Sequence, residues 1–278
     1  MTRLASLSIS IVTYRQEEGP LRECLDSLGS AIEYARQQGS IRDCALAIVD
    51  NSTDTRIQEE LGRLLDADWH VTGTVPQLLT TQHNLGYGKA HNLAIAGSSM
   101  DYHLILNPDV VLDREALHHA VRFMQAYEQT ALLTPNVRNA EGKQEYLNKN
   151  YPDLTSLLLR GFAPAFIKRH FAARISRYEL RDTDRAQDRH DILLASGCFM
   201  FCKTTILQQI GGFADSYFLY FEDYDLSMRI REYGEIAYTP DVRIIHYGGN
   251  AAKKGSRHIF LFLRSALTFF NQHGWKLW

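Results

Sequence analysis

Four strand-length apolar runs fall in the first part of the chain, and each ends abruptly in polar residues. Leu7 to Val12 runs into Thr13-Tyr14-Arg15, and Ala45 to Val49 into Asp50-Asn51-Ser52. A weaker run around Pro76 leads to the cluster from Asn84 to Asn92, and Tyr102 to Leu106 stops at Asn107-Pro108-Asp109. Helix-patterned segments separate them. Pro20 opens one that carries Leu21, Cys24, Leu25, Leu28, Ile32 and Ala35 at helical spacing. Arg56 to Leu65 is a second, and Asn84-Leu85-Gly86-Tyr87-Gly88 opens a third through Ile95. This βαβα order predicts a parallel, doubly wound sheet. It sets the polar clusters on one rim, the carboxyl edge, where open α/β sheets bind ligands and where a nucleotide should lie.

The fourth run is the most telling. Pro108 has no N–H and cannot continue a central ladder, so the strand must end there. Asn107 and Asp109 are left at its carboxyl end, and a carboxylate beside an amide suits a hard divalent cation carrying a diphosphate. A solvated Asn-Pro-Asp turn explains the same residues equally well.

The second half is less regular. A helix is expected over Leu112 to Tyr127, a short strand over Leu132 to Val137, and a strong strand over Ile192 to Phe201. That strand should run into a helix ending at Gly211-Gly212-Phe213. The stretch from Asn139 to Asp191 is weakly patterned apart from Leu157 to Ile175. A further helix starts within Tyr220-Phe221-Glu222-Asp223-Tyr224-Asp225-Leu226, with Leu226, Ile230 and Tyr233 facing inward. Carboxylates in its first turn suit the helix dipole. Their aromatic surroundings point further, because such an environment raises a carboxylate's pKa and makes it a better general base. His246 follows a strand, Val242 to Ile245, and precedes Tyr247-Gly248-Gly249.

Composition excludes several classes. With 45% apolar and 22% charged residues the chain is globular. No GxGxxG follows the first strand and no GxxxxGK[ST] occurs, which argues against dinucleotide oxidoreductases and P-loop NTPases. Cys24, Cys44, Cys198 and Cys202 lack metal-type pairing and read as buried thiols, with Cys198 and Cys202 sharing a strand face. Serines interrupt Leu4 to Val12, so no signal peptide is expected, and no apolar stretch is long enough to span a membrane. The charge is uneven: residues 138–189 carry 11 Lys/Arg against 7 Asp/Glu, and residues 250–278 carry 5 against none. Basic segments on an acidic body suggest an anionic partner for them. No nucleic acid is expected among the partners.

Seven segments in order resemble the family 2 inverting glycosyltransferases of the GT-A fold: IVTYR at 11–15, VDNSTD at 49–54, NLGYGKAHN at 84–92, LNPDV at 106–110, SGCFMF at 196–201, GGFADSYFLYFEDYDLSMR at 211–229 and IIHYGG at 244–249. With the late His273-Gly274-Trp275 they look similar to rhamnosyltransferases of bacterial surface-polysaccharide (O antigen, lipopolysaccharide) assembly. The resemblance implies an α/β fold with a Rossmann-like, mostly parallel sheet, a smaller acceptor-binding lobe and a C-terminal helix. It implies a nucleotide-sugar-binding half over 1–110, an acceptor-binding and catalytic half over 111–249, and a basic, aromatic C-terminal helix over 250–278, all in one compact unit.

By the same resemblance Asp50 meets the nucleotide base, with Thr13, Tyr14 and Arg15 nearby. Asn51, Asn84, Gly86, Asn92 and Asn107 complete the expected nucleotide-sugar rim. Asn107 and Asp109 match the DxD pair that holds Mg²⁺ or Mn²⁺, with Asn in place of the first Asp, and His246 matches a histidine that completes the metal shell. Asp223 matches the catalytic base, with Glu222 beside it. The implied reaction moves L-rhamnose from dTDP-β-L-rhamnose to a polyprenyl-diphosphate-linked sugar such as N-acetylglucosamine. Galactofuranose, glucose or N-acetylglucosamine as donor sugar, and a catalytically silent sugar-binding module, stay open as alternatives.

Leu157 to Ile175 and His258 to Trp278 mix bulky apolar residues with Arg and Lys. One reading packs each as an amphipathic helix on the core. The other places them on the inner face of the cytoplasmic membrane, with Trp275 and Trp278 at the headgroups and Lys253, Lys254, Arg257, Arg264 and Lys276 against anionic lipid.

Overall fold

The computed structural model describes residues 3–181, 186–248 and 255–278. Strand and helix alternate through the first part: β1 (Ala5–Thr13), α1 (Glu18–Gln37), β2 (Ile41–Asp50), α2 (Thr55–Asp68), β3 (Pro76–Thr80), α3 (Tyr87–Ala96) and β4 (Tyr102–Leu106). β1 pairs in parallel with β2 and β4, and β2 in parallel with β3. Leu21, Cys24, Leu25, Leu28, Ile32 and Ala35 are all buried along one face of α1. They cover the sheet because a three-four spacing keeps apolar side chains on one stripe.

The rest of the chain extends this sheet in mixed directions. The elements are β5 (Val110–Leu112), α4 (Ala116–Ala126), β6 (Thr130–Arg138), β7 (Gln144–Glu145), then α5 (Leu154–Phe162), α6 (Ala165–His170) and α7 (Ala172–Tyr178). They are followed by β8 (Phe199–Lys203), α8 (Thr204–Gln209), α9 (Glu222–Ile230), β9 (Glu235–His246) and α10 (Gly255–His273). Among the described residues the strands form one nine-stranded sheet in the order β3-β2-β1-β4-β8-β6-β9-β5, with β7 on β6. One large core lies under α1 and α4, and a second lies on the opposite face under α3, α8 and α9.

Several expectations change. The helix expected from Leu112 starts at Ala116, because Val110 to Leu112 are used in pairing with β9. Of the strand expected over Ile192 to Phe201 only Phe199 to Phe201 joins the ladder, which runs on to Lys203. The preceding residues are buried but give their backbone groups elsewhere: Ile192 to Ile236, Leu194 to Lys149, and Ala195 to the Ser227 hydroxyl. Cys198 packs with Phe199 and Phe201, whereas Cys202 lies in the opposite core. Leu157 to Ile175 is not one helix, since Pro164 interrupts it between α5 and α6. Tyr233 lies past the end of α9 and is exposed. Gly249 to Lys254 lie outside the described residues.

α10 closes the structure through an aromatic cluster. Phe269, Phe270 and Ala266 pack with Phe221, Tyr217, Tyr178 and Leu157. Asp225 on α9, almost fully buried, accepts hydrogen bonds from Arg229 Nε and His273 Nε2, both at 2.8 Å. Removing one partner of a buried ion pair leaves the other charge uncompensated. Asp225→Ala is expected to lower unfolding free energy by about 3 kcal/mol and to loosen α10. Thermal melting and proteolysis within the last twenty or so residues would check this.

Candidate active site

The β5–β9 pairing brings two distant residues together. Val110 pairs with His246, and the Tyr247 N–H donates to the Asp109 carbonyl at 3.0 Å. His246 Nε2 then lies 3.6 Å from Asp109 Oδ1, and its Nδ1 lies 3.4 Å from Glu145 Oε2 on β7. Asp109 Oδ1 is buried and has no hydrogen-bond partner among the described residues. A buried, bare carboxylate oxygen is costly unless something charged meets it. A carboxylate and an imidazole left in this way fit a divalent cation. Among the described residues no three His, Cys, Asp or Glu side chains form a cage.

The carboxylate pair sits at the start of α9. Tyr220 and Phe221 immediately before it both have left-handed backbone, with φ of 71° and 63°. Asp223 accepts the Gly197 N–H at 3.0 Å and its own helix's Tyr224 N–H at 2.9 Å. Glu222 is buried, and its Oε2 has no partner among the described residues. Burial pushes both carboxyl groups above the ordinary range. Repulsion from Asp223 pushes Glu222 further, while the two N–H donors partly offset the rise at Asp223. Asp223, half-buried and better solvated by donors, therefore ionises first, and Glu222 keeps its proton longer. Buried Cys198 accepts the Asn107 N–H at its carbonyl at 2.9 Å and directly follows Gly197, which donates to Asp223, so one short segment links the two groups. The Cys198 thiol is pushed up to about 12 by burial and stays protonated.

The family model for glycosyltransferase like family 2 matches residues 5–259. The chain belongs to that family. It is 25% identical to the N-acetylglucosaminyl-diphospho-decaprenol L-rhamnosyltransferase of Mycobacterium tuberculosis, over 97% of this chain and 86% of the relative. The crystal structure of GalNAc-T7 with UDP, GalNAc and Mn²⁺ matches with a TM-score of 0.62 and 14% identity, over 87% of this chain and 43% of that one. That of S. aureus TarS 1–349 with UDP-GlcNAc matches with a TM-score of 0.58 and 16% identity, over 96% of this chain and 67% of that one. The chain is a GT-A-fold glycosyltransferase.

Of the remaining expected residues of the transferase, those at the ends of β1, β2 and β4 lie on the carboxyl edge, Asn84 and Gly86 lie in the loop before α3, and Asn92 lies within α3. Thr13 pairs with Asp50 in the β1–β2 register. Asp50 is fully buried and accepts from the Ser52 hydroxyl at 2.8 Å and from Thr13 Oγ1 at 3.4 Å. Tyr14 and Arg15 are exposed on the rim, Arg15 with a φ of 51°. Asn51 Nδ2 donates to Asn84 Oδ1 and to the Gly86 carbonyl, both at 2.9 Å, so these residues hold the loop before α3. A Cβ on Gly86 would lie 2.2 Å from the Phe218 carbonyl oxygen, so only glycine permits the approach. Asn92 grips both backbone groups of Phe213 at 2.8 Å. Asn107 meets the Tyr87 hydroxyl at 3.0 Å.

Glu145, Tyr87 and Gly197 are the residues that sequence reasoning passed over. Glu145 sits alone in a weakly patterned stretch, with no spacing to flag it. Tyr87 and Gly197 lay inside quoted motifs as spacers.

A carboxyl whose folded pKa is raised stabilises fully below its unfolded pKa of about 4.3, and that contribution is lost as pH rises through the folded value. Glu222→Gln should therefore flatten the decline of melting temperature with rising pH and leave the metal-free protein more stable than wild type in mildly alkaline buffer. Parallel curves for the two proteins would contradict the burial cost assigned to Glu222.

Proposed function

We propose that the chain is an inverting transferase that moves L-rhamnose from dTDP-β-L-rhamnose to a polyprenyl-diphosphate-linked sugar such as N-acetylglucosamine, in surface-polysaccharide assembly. The observation that carries the chemistry is that bare Asp109 faces His246 at the carboxyl edge of the parallel strands, while Gly197 and Tyr87 link neighbouring Asn107 to the upshifted Asp223. The relative named for L-rhamnosyl transfer to a decaprenol-linked sugar supports the donor and acceptor. Residues 1–110 would hold the nucleotide sugar, 111–249 the acceptor and the base, and 250–278 would back the acceptor side.

In this reading Thr13, Tyr14, Arg15 and Asp50 face the base, and Asn51, Asn84, Gly86 and Asn92 shape the rim beneath it. Asp109, His246 and the Asn107 carboxamide hold Mg²⁺ or Mn²⁺ at the diphosphate. When bound, the cation offsets the negative charge that grows on the leaving group. Asp223 accepts the proton of an acceptor hydroxyl, which attacks the anomeric carbon on the side opposite the diphosphate. One displacement inverts the centre and gives an α-L-rhamnoside.

The test is transfer from dTDP-β-L-rhamnose to a polyprenyl-diphosphate N-acetylglucosamine, with and without chelator. Asp109→Ala should lose roughly two or more orders of magnitude in kcat, as for other lost charge stabilisation. Asp223→Asn should abolish transfer while donor affinity stays within about threefold, because the base acts in the transition state. Full activity in excess chelator would remove the metal. An active Asp223→Asn beside a dead Glu222→Gln would exchange the two roles.

A peripheral place at the inner membrane surface is part of the same proposal. No helix among the described residues is long and apolar enough to cross a membrane. α10 buries one face, yet Ile259, Phe260, Leu263 and Leu267 stay exposed on it, as do Trp275, Leu277 and Trp278 beyond it. Exposed Arg257 and Arg264 flank that stripe. Each basic residue near an anionic surface contributes about 1 kcal/mol of attraction. Binding to anionic liposomes at low salt, release at high salt, and weakening by charge reversal at Lys253, Lys254, Arg257 and Arg264 are expected. Indifference to such liposomes, with equal activity on a lipid-free acceptor, would refute it.

A further inference from the structure

Asn107 stands where an acid is expected, and the structure supplies a reason why an amide serves. Tyr87 Oη lies 3.0 Å from Asn107 Oδ1 and 2.6 Å from the Gly197 carbonyl oxygen. A hydroxyl has one proton, so it donates to only one of these two acceptors. The shorter contact, to Gly197, takes it. Two oxygens facing each other with no proton between them repel.

The carboxamide resolves this by turning half a turn about its last bond, which interchanges nitrogen and oxygen at almost no steric cost. Nδ2 then donates to Tyr87 Oη. The other terminal atom of Asn107 has no hydrogen-bond partner among the described residues and is not among the buried polar atoms left without one. After the turn that open position carries the oxygen.

We propose that Tyr87 is the positioning residue of the donor site: it takes the amide nitrogen of Asn107, turns the carboxamide oxygen toward the cation and diphosphate, and through Gly197 ties this group to the base. Gly197 gives its carbonyl to Tyr87 and its N–H to Asp223 at 3.0 Å. One residue thereby joins the leaving-group side to the base side. A Cβ on Gly197 would lie 3.2 Å from the Tyr87 ring and 3.3 Å from Oη, so the contact is close-fitting. An aspartate at 107 would offer oxygen in either orientation and would not need the tyrosine. The proposal rests on the metal–diphosphate reading of Asp109 and His246 given above.

The experiment is a double-mutant cycle read by Mn²⁺ affinity in saturating dTDP, followed by titration calorimetry or by the spectrum of free Mn²⁺. Tyr87→Phe should weaken Mn²⁺ binding about tenfold or more, as for other residues that orient a ligand. Asn107→Asp should bind Mn²⁺ at least as tightly as wild type. In the Asn107→Asp background, Tyr87→Phe should change the affinity by less than about twofold. An equal loss in both backgrounds would mean that Tyr87 supports the fold only, and no loss in either would overturn the proposal. Should Tyr87→Phe not fold, Gly197→Ala displaces the same hydroxyl and should show the same dependence on residue 107. A wild-type protein that binds dTDP but no Mn²⁺ would instead defeat the metal reading, and the proposal with it.

Discussion

The antiparallel ladder between β5 and β9 is the constraint on which the meeting of Asp109 and His246 depends. It pairs Val110 with His246 and Leu112 with Ile244. Side chains alternate across a strand, so a slip of one residue would carry His246 to the opposite face and leave Asp109 alone. The ladder exists because Pro108 ends β4 and the chain turns at once into a strand whose Val110 and Leu112 are buried in the core under α1 and α4. Asp109 is the residue caught at that turn. Its carbonyl is held by Tyr247, and its side chain is left facing His246.

On the other side, a strained turn sets the carboxylate pair. Two consecutive non-glycine residues in left-handed conformation cost about 1–2 kcal/mol each. Phe221 offsets this by packing its ring 5.2 to 5.4 Å from those of Tyr224, Phe262 and Phe269. Two of those rings belong to α10. The C-terminal helix thus supports the carboxylate turn from behind, and the same helix sends His273 to Asp225. The acidic segment on α9 and the late histidine are two ends of one packing arrangement.

Beneath α3 runs a third device, uncharged and polar. Ser8 meets His103 Nδ1 at 2.7 Å, His103 Nε2 meets Ser10 at 2.8 Å, and Ser10 meets His91 Nδ1 at 2.7 Å. Burial depresses both histidines, His103 to about 3, so both are neutral, and a neutral ring can donate from one nitrogen and accept at the other. The line binds β1, β4 and α3 without a buried charge, and the His91 ring packs edge-on against Tyr87 at 4.5 Å. The tyrosine between Asn107 and Gly197 is thereby fixed from below as well as by its own hydroxyl.

The sequence by itself determined the parallel half of the sheet. Local periodicity is enough there, since each run is shorter than its connecting segment and each gives way to polar residues, with Pro108 unable to continue the ladder after the fourth. It also marked the residues of the rim, because polar clusters at strand ends fall on one edge whatever the rest of the chain does. Tertiary structure decided the remainder. Leu112 became the end of a strand rather than the start of a helix, and Ile192 to Cys198 a loop rather than a strand, because partners far along the chain took their backbone groups. Glu145 joined His246, and Tyr87 joined Asn107 to Gly197, through pairings more than 100 residues apart for Glu145–His246 and Tyr87–Gly197. A pattern read over a dozen residues records which side chains avoid water. It does not record which distant backbone will supply the missing hydrogen bond, and at this site that second fact set the geometry.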